Sequence, residues 1–159
     1  MKSKPCLLLL AISTMLGCKH TARLYPVQGP LTGQVPVPVL MAKITGAFTP
    51  GTISFVLSDG EVCKGRWIIV NPVQAPKGVP VAAAPANGMA SVWDSIYGPG
   101  YYVSRVLGAR YYAQAVVAGN RGSVLNVEMY RPVDSTAGDI GSIKGVAKDN
   151  KDNIYKLVL

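Results

Sequence analysis

Thr52-Ile53-Ser54-Phe55-Val56-Leu57-Ser58-Asp59-Gly60-Glu61-Val62-Cys63-Lys64-Gly65-Arg66-Trp67 is the stretch that decides the fold. Residues 52–58 alternate, with Ile53, Phe55 and Leu57 on one face and Thr52, Ser54 and Ser58 on the other. That period of two is what a half-buried strand requires. Asp59-Gly60 is a turn dipeptide whose glycine permits positive φ, and residues 61–70 run on as the partner strand. In the partner, Cys63, Gly65, Trp67 and Ile69 share one face, while Lys64 and Arg66 share the other. Asp59 and Glu61 flank the turn glycine and are expected to be exposed.

The same grammar recurs downstream. Residues 101–107 and 111–118 read as a second hairpin joined by Gly108-Ala109-Arg110. Gly119-Asn120-Arg121-Gly122 then turns the chain into a strand over 123–130, where Leu125, Val127 and Met129 alternate with Asn126 and Glu128. Residues 142–148, a turn over 149–152 and residues 153–159 form a last hairpin. Between the hairpins, Pro72, Pro76, Pro80 and Pro85 interrupt an Ala- and Val-rich excursion, 71–88, in which neither helix nor central strand persists. Residues 89–97 predict a short helix stopped by Gly98-Pro99-Gly100. Seven or more short strands with Gly-rich turns predict a mainly β domain, 42–159. It is a compact antiparallel sheet, a small barrel or a sandwich, with one short helix expected to close an opening of the sheet.

Toward the N terminus the composition changes. Residues 18–41 carry Pro26, Pro30, Pro36 and Pro38 and read as an extended, Pro-rich tether. Leu24, Tyr25, Val27 and Leu31 give its first part enough apolar surface to lie against the domain, as an edge strand. Residues 1–17 read as a signal peptide: Lys2 and Lys4 open it, and an apolar run from Cys6 to Leu16 follows. The run is too short to span a bilayer, which takes about 20 residues.

Met15-Leu16-Gly17-Cys18 resembles the lipobox of bacterial lipoproteins. The resemblance implies cleavage between Gly17 and Cys18 and acylation of Cys18, although Met15 stands where Leu is usual. Lys19 follows in place of the Asp that commonly retains such proteins in the inner membrane. That implies lipid attachment at the outer membrane, facing the periplasm. The segments 24–31, 59–67 and 93–98 together resemble small Gram-negative envelope lipoproteins, a resemblance that implies location and no activity.

Composition narrows the chemistry. The 159 residues carry 16 Lys and Arg against 8 Asp and Glu, with a single His. Loss of 1–17 leaves 14 basic and 8 acidic side chains in 142 residues, near +6. The cations are scattered singly, which reads as solvated surface charge; a membrane, envelope-protein, lipid or cell-wall partner is expected, and no nucleic acid. His20 lies in the expected tether, away from any cleft, so no Ser-His-Asp or Cys-His arrangement is expected, nor a zinc or iron centre. Asp149-Asn150-Lys151-Asp152-Asn153 has Lys at the third position and no closing Glu, so it reads as a turn rather than a calcium loop. Glu128 and Asp94 are the only carboxylates with any case as a hydrolytic pair, and nothing in their spacing supports one.

The expectation is therefore a lipid-anchored, non-enzymatic structural or interaction module without cofactor. The alternative is a small barrel that carries an apolar ligand or lipid. Cys63, sharing a face with Trp67 and Ile69, is expected to be buried and inert. Trp93, Tyr97, Tyr101 and Tyr102 are the candidate partner-binding residues, since Trp93 and Tyr97 share a helix face and the Gly-Pro-Gly turn adds two tyrosines.

Overall fold

The computed structural model describes residues 19–46, 50–70, 88–107, 109, 111–135 and 139–159. The signal segment 1–17, Cys18 and the excursion over 71–87 lie outside the described residues. The strands are Lys19–Gln28 (β1), Leu40–Thr45 (β2), Gly51–Val56 (β3), Val62–Val70 (β4), Tyr111–Gly119 (β5), Val124–Arg131 (β6), Lys144–Asp149 (β7) and Ile154–Val158 (β8). Each pairs antiparallel with the next, and β8 pairs with β1. Of the two all-β arrangements open to the sequence, the closed barrel is the one formed.

The β3–β4 hairpin stands in the register its alternation demands, with Ile53 opposite Gly65 and Phe55 opposite Cys63. Gly60 takes φ 82° in its turn, and the Leu57 N–H donates to the Glu61 carbonyl at 2.9 Å. Inside the barrel, large and small side chains alternate around each level. One level runs Trp67, Ala115, Val127, Ala147, Tyr155 across successive strands, and the next runs Met129, Gly145, Leu157, Leu24. An eight-stranded barrel has an interior just wide enough for side chains to fill, and this alternation fills it. The inward positions are apolar, whereas the outer face mixes cations with exposed apolar residues such as Met41, Val56, Ile68 and Val116.

Three expectations are corrected. Residues 19–28 are barrel wall, not tether, so the β domain begins at Lys19 rather than at 42. Pro26 is tolerated because the pairings of β1 are staggered: 19–24 pair with β2 and 23–28 with β8, with a bulge between Pro26 and Gln28. Beyond Leu24 the β2 side is unpaired, and Pro26 sits at the irregularity in the β8 ladder, the kind of place where proline is accommodated.

The second correction concerns 101–107, which form no strand. Tyr102–Val106 is a π-helical turn in which Tyr102 and Val106 are buried while Val103, Ser104 and Arg105 are exposed. Aromatic and β-branched residues favour a strand, but the Asp94 carboxylate accepts the N–H groups of Gly100 (3.1 Å) and Tyr102 (2.9 Å) and winds the segment as a helix.

Third, the helix Met89–Tyr97 (α1) closes no opening. Met89, Val92 and Trp93 pack outside the barrel on the outward-facing Tyr112, Tyr130, Val146 and Ile154, a second apolar cluster separate from the barrel interior.

Cys63 lies fully buried inside the barrel, and burial, followed by the nearby Glu61 carboxylate, pushes its thiol up to about 11. A bulky maleimide should leave Cys63 unmodified in the folded protein and label it promptly in denaturant. Rapid labelling without denaturant, read by intact mass, would contradict the register of β4.

Candidate functional site

At one end of the barrel two buried carboxylates are consumed by structure. Glu61 is buried rather than exposed, because it is in phase with the inward set Cys63, Gly65 and Trp67. Its Oε1 accepts the N–H groups of Arg121 (2.7 Å) and Ser123 (3.0 Å), and its Oε2 accepts the Ser123 hydroxyl (2.6 Å). Gly119 makes room for it: a Cβ there would stand 2.1 Å from the Glu61 carboxylate. The Ser123 hydrogen bonds, helped by the Arg121 N–H and Lys151 and opposed by desolvation, lower Glu61 from the ordinary 4.5 to about 2. Asp149 accepts from the backbone N–H groups of Lys151 and Asn153, the Asn153 amide and the Tyr155 hydroxyl at 2.7–2.9 Å. Burial, and then the bond to Asp149, raises the Tyr155 hydroxyl well above its usual range. Both carboxylates act as fasteners, and Asp149–Asn153 is a turn with Asp152 at φ 62°.

The outer wall over β5–β8 carries the aromatic group. Trp93 is fully buried; its ring lies 5.5 Å from Tyr97 and 5.4 Å, edge-on, from Tyr130. Tyr97 stacks on Tyr101 at 4.7 Å, and Lys144 lies 5.6 Å from both of those ring centres. Burial, then the neighbouring Tyr101, pushes the Tyr97 hydroxyl up to about 12. Beneath the helix Glu128 is buried and accepts from the Trp93 indole N–H (2.7 Å) and the Gln114 amide (3.1 Å). Tyr112 is hydrogen-bonded to it as well. Sequence alternation had placed Glu128 on a polar strand face. It does point out of the barrel, but α1 covers it, so Glu128 and Asp94 open onto no common cleft.

The four candidate partner-binding residues therefore divide. Trp93 and Tyr102 are interior to the helix–barrel layer, and only Tyr97 and Tyr101 retain partial exposure. Gly17 and Cys18, the implied processing and lipidation site, lie outside the described residues.

The opposite end of the barrel holds a pocket that sequence reading did not find. It is a cavity of about 80 Å³ whose apolar wall includes Ile44, Trp67, Ile69, Met129 and Leu159. His20 and Arg131 line it too. His20 thus lies at the barrel mouth as part of β1, not on a tether. Its Nε2 is buried with no hydrogen-bond partner, and the Arg131 guanidinium lies 5.3 Å over the Tyr111 ring. These residues come from both ends of the chain and from β2, β4, β5 and β6, so no local motif announces them. Among the described residues, no three His, Cys, Asp or Glu side chains gather as a metal site. No protein-family model, curated protein or solved structure matches the chain.

Two outcomes follow from this geometry. Trp93→Ala should cost about 3 to 5 kcal/mol in urea unfolding, as truncation of a buried aromatic does; a variant of unchanged stability would contradict its burial. Because the folded value of Glu61 lies below the unfolded one, its stabilising contribution is complete above pH about 4.5 and is lost as pH falls toward about 2. Glu61→Gln should therefore lose less stability than the parent between about pH 5 and pH 2, measured as the fall in urea midpoint. An equal fall in both proteins would show that Glu61 is not held in its charged form.

Proposed function

We propose that the protein is a lipid-anchored envelope module, attached through Cys18 and acting by contact rather than by catalysis. The observation that carries this reading is continuity: β1 begins at Lys19, the residue directly after Cys18. Acyl chains on Cys18 would hold the barrel mouth at the lipid surface with no spacer. One acyl chain binds a membrane only marginally, at about 0.8 kcal/mol per buried methylene; lipoproteins of the kind the lipobox resembles carry three. The carboxylates of Glu61, Asp149 and Glu128 are each occupied by hydrogen bonds within the fold, which supports a scaffold better than a hydrolase. With Lys at position 19, the reading extends to the outer membrane and its periplasmic face.

Apart from an open hollow of about 510 Å³ on the outer wall beside Arg66, Met89 and Glu128, the carrier reading rests on the mouth pocket. At about 80 Å³ it falls well short of the roughly 300–1,000 Å³ of small-molecule sites. The barrel interior beneath it is packed, so it would accept the end of an apolar chain rather than a whole lipid.

Cys18→Ser should abolish acyl labelling in cells and move the protein out of a membrane pellet washed in high salt, which screens electrostatic binding. Retention in the pellet without label would sink the anchored-module reading. A stoichiometric small amphiphile co-purifying with the Cys18→Ser protein would favour the carrier instead.

A further inference from the structure

The outer wall of the barrel has two unlike halves. Over β5–β8, α1 and the π-helical turn cover Tyr112, Tyr130, Val146 and Ile154, while Val116, Val124 and Asn126 stay exposed beyond the helix. Over β1–β4 it is bare, and Lys19, Arg23, Lys43, Lys64 and Arg66 all stand on it exposed. The register gathers them. Thr21, Lys43, Ser54 and Lys64 form one level across the four strands. That sets Lys43 and Lys64 about 10 Å apart, two strand spacings. Lys19 and Arg23 flank Thr21 on its own face of β1, and Arg66 follows Lys64 on the same face of β4. None of these four strands contains an Asp or Glu. No ion pair among the described residues engages any of the five cations.

We propose that this wall docks on an anionic phospholipid surface, so that the barrel lies on its side with α1 turned away from the membrane. Charge complementarity is one argument. The other is where the chain leaves the fold: Lys19 is both the first residue of the patch and the neighbour of Cys18, so the anchor departs from the edge of this wall. The proposal rests on the anchored reading given above and adds the orientation and the lipid class. Each cation near such a surface contributes roughly a fivefold gain in partition, and the effect fades beyond a Debye length of about 8 Å at physiological salt. The acyl chains hold the protein at the membrane, while the wall decides which side meets it.

The test uses the acylated full-length product reconstituted into vesicles of phosphatidylcholine alone or with phosphatidylglycerol. Lysine-directed acetylation is read residue by residue by mass spectrometry. Lys43 and Lys64 should label at least about fivefold more slowly with phosphatidylglycerol present, Lys148 on β7 should be unaffected, and the protection should vanish in high salt. In Lys64→Glu/Arg66→Glu, exposed substitutions that leave the core untouched, Lys43 should lose protection while the protein stays in the vesicles. Equal labelling of both walls in phosphatidylglycerol vesicles would overturn the proposal, as would protection by a soluble polyanion such as heparin but not by lipid. Failure of the anchor reads differently, as a product without acyl mass that does not enter phosphatidylcholine vesicles. That unacylated chain should still float with phosphatidylglycerol vesicles at low salt, and failure to do so would overturn the wall proposal on its own.

Discussion

The pairing of β1 with β8 is the contact on which the rest of the molecule depends. A meander of eight strands has two free edges, each a row of unpaired backbone groups open to other chains, and closure removes both. Arg23 to Gln28 meet Ile154 to Val158, so the first and last described strands complete one wall. The stagger that lets β1 face β2 with one part and β8 with another is the shear a small barrel requires. Closure also gives the interior its shape, and the shape demands small residues opposite large ones: Gly145 between Met129 and Leu157, Ala147 between Val127 and Tyr155. A Cβ at Gly65 would come within 2.4 Å of the Val116 carbonyl oxygen, so even the missing side chains serve the closed form.

Closure is reinforced at one end by a polar lattice. There the turns are cross-linked by polar side chains: Glu61 binds the β5–β6 turn, and Asn120 and Asn150 accept the N–H groups of Val62 and Val124. Asn153 accepts the Leu31 N–H from the β1–β2 connection while its amide donates to Asp149. Buried polar networks of this kind are stable only when every member is satisfied, and these carboxylates have at least three donors each. The other end holds the apolar pocket lined by His20 and Arg131. The cross-linked turns and the pocket are thus at opposite ends of one barrel, with the implied anchor beside the pocket.

The strand pattern was legible because alternation is a local signal and most strands have a strict inside and outside. β3, β4 and β6 through β8 follow directly from it, as does α1 from its bounding glycines. Two segments misled for opposite reasons. Proline in 19–28 argued for a tether, yet the β1–β8 ladder has a bulge just after Pro26 that accommodates it. Aromatic and β-branched residues in 101–107 argued for a strand, yet a side-chain carboxylate one helix away, on Asp94, overrode that preference. Glu61 was readable in principle, since its phase with Cys63 and Trp67 points inward, but its charge argued for solvent until its partners on a distant turn were known. The aromatic group around Trp93 was visible as a cluster in sequence, whereas its docking outside the barrel was not. Nothing local says which surface a helix will cover. The mouth pocket was invisible for the same reason in stronger form, being assembled from residues as far apart as His20 and Leu159.

Charge shows how far sequence spacing can mislead about a surface. Along the chain the cations fall singly, which argues for an evenly solvated coat. In the barrel, four successive strands lie side by side, and Lys19, Arg23, Lys43, Lys64 and Arg66 fall on one wall. The acids show the converse. Asp59, Glu61, Asp149 and Asp152 gather at the cross-linked turns, Asp94 and Glu128 belong to the helix layer, and Asp134 and Asp139 lie in the β6–β7 connection. Each therefore has a structural location off the basic wall, and the turn acids draw Arg121, Lys148 and Lys151 into ion pairs there. Of the described cations outside those ion pairs, five stand on β1–β4, where no strand carries an acid, while Lys144 and Lys156 lie against the aromatic group on the opposite wall. Charges of one sign on one sheet face oppose its pairing with a second copy of itself and complement a surface of opposite sign, the physical basis on which the docking proposal stands.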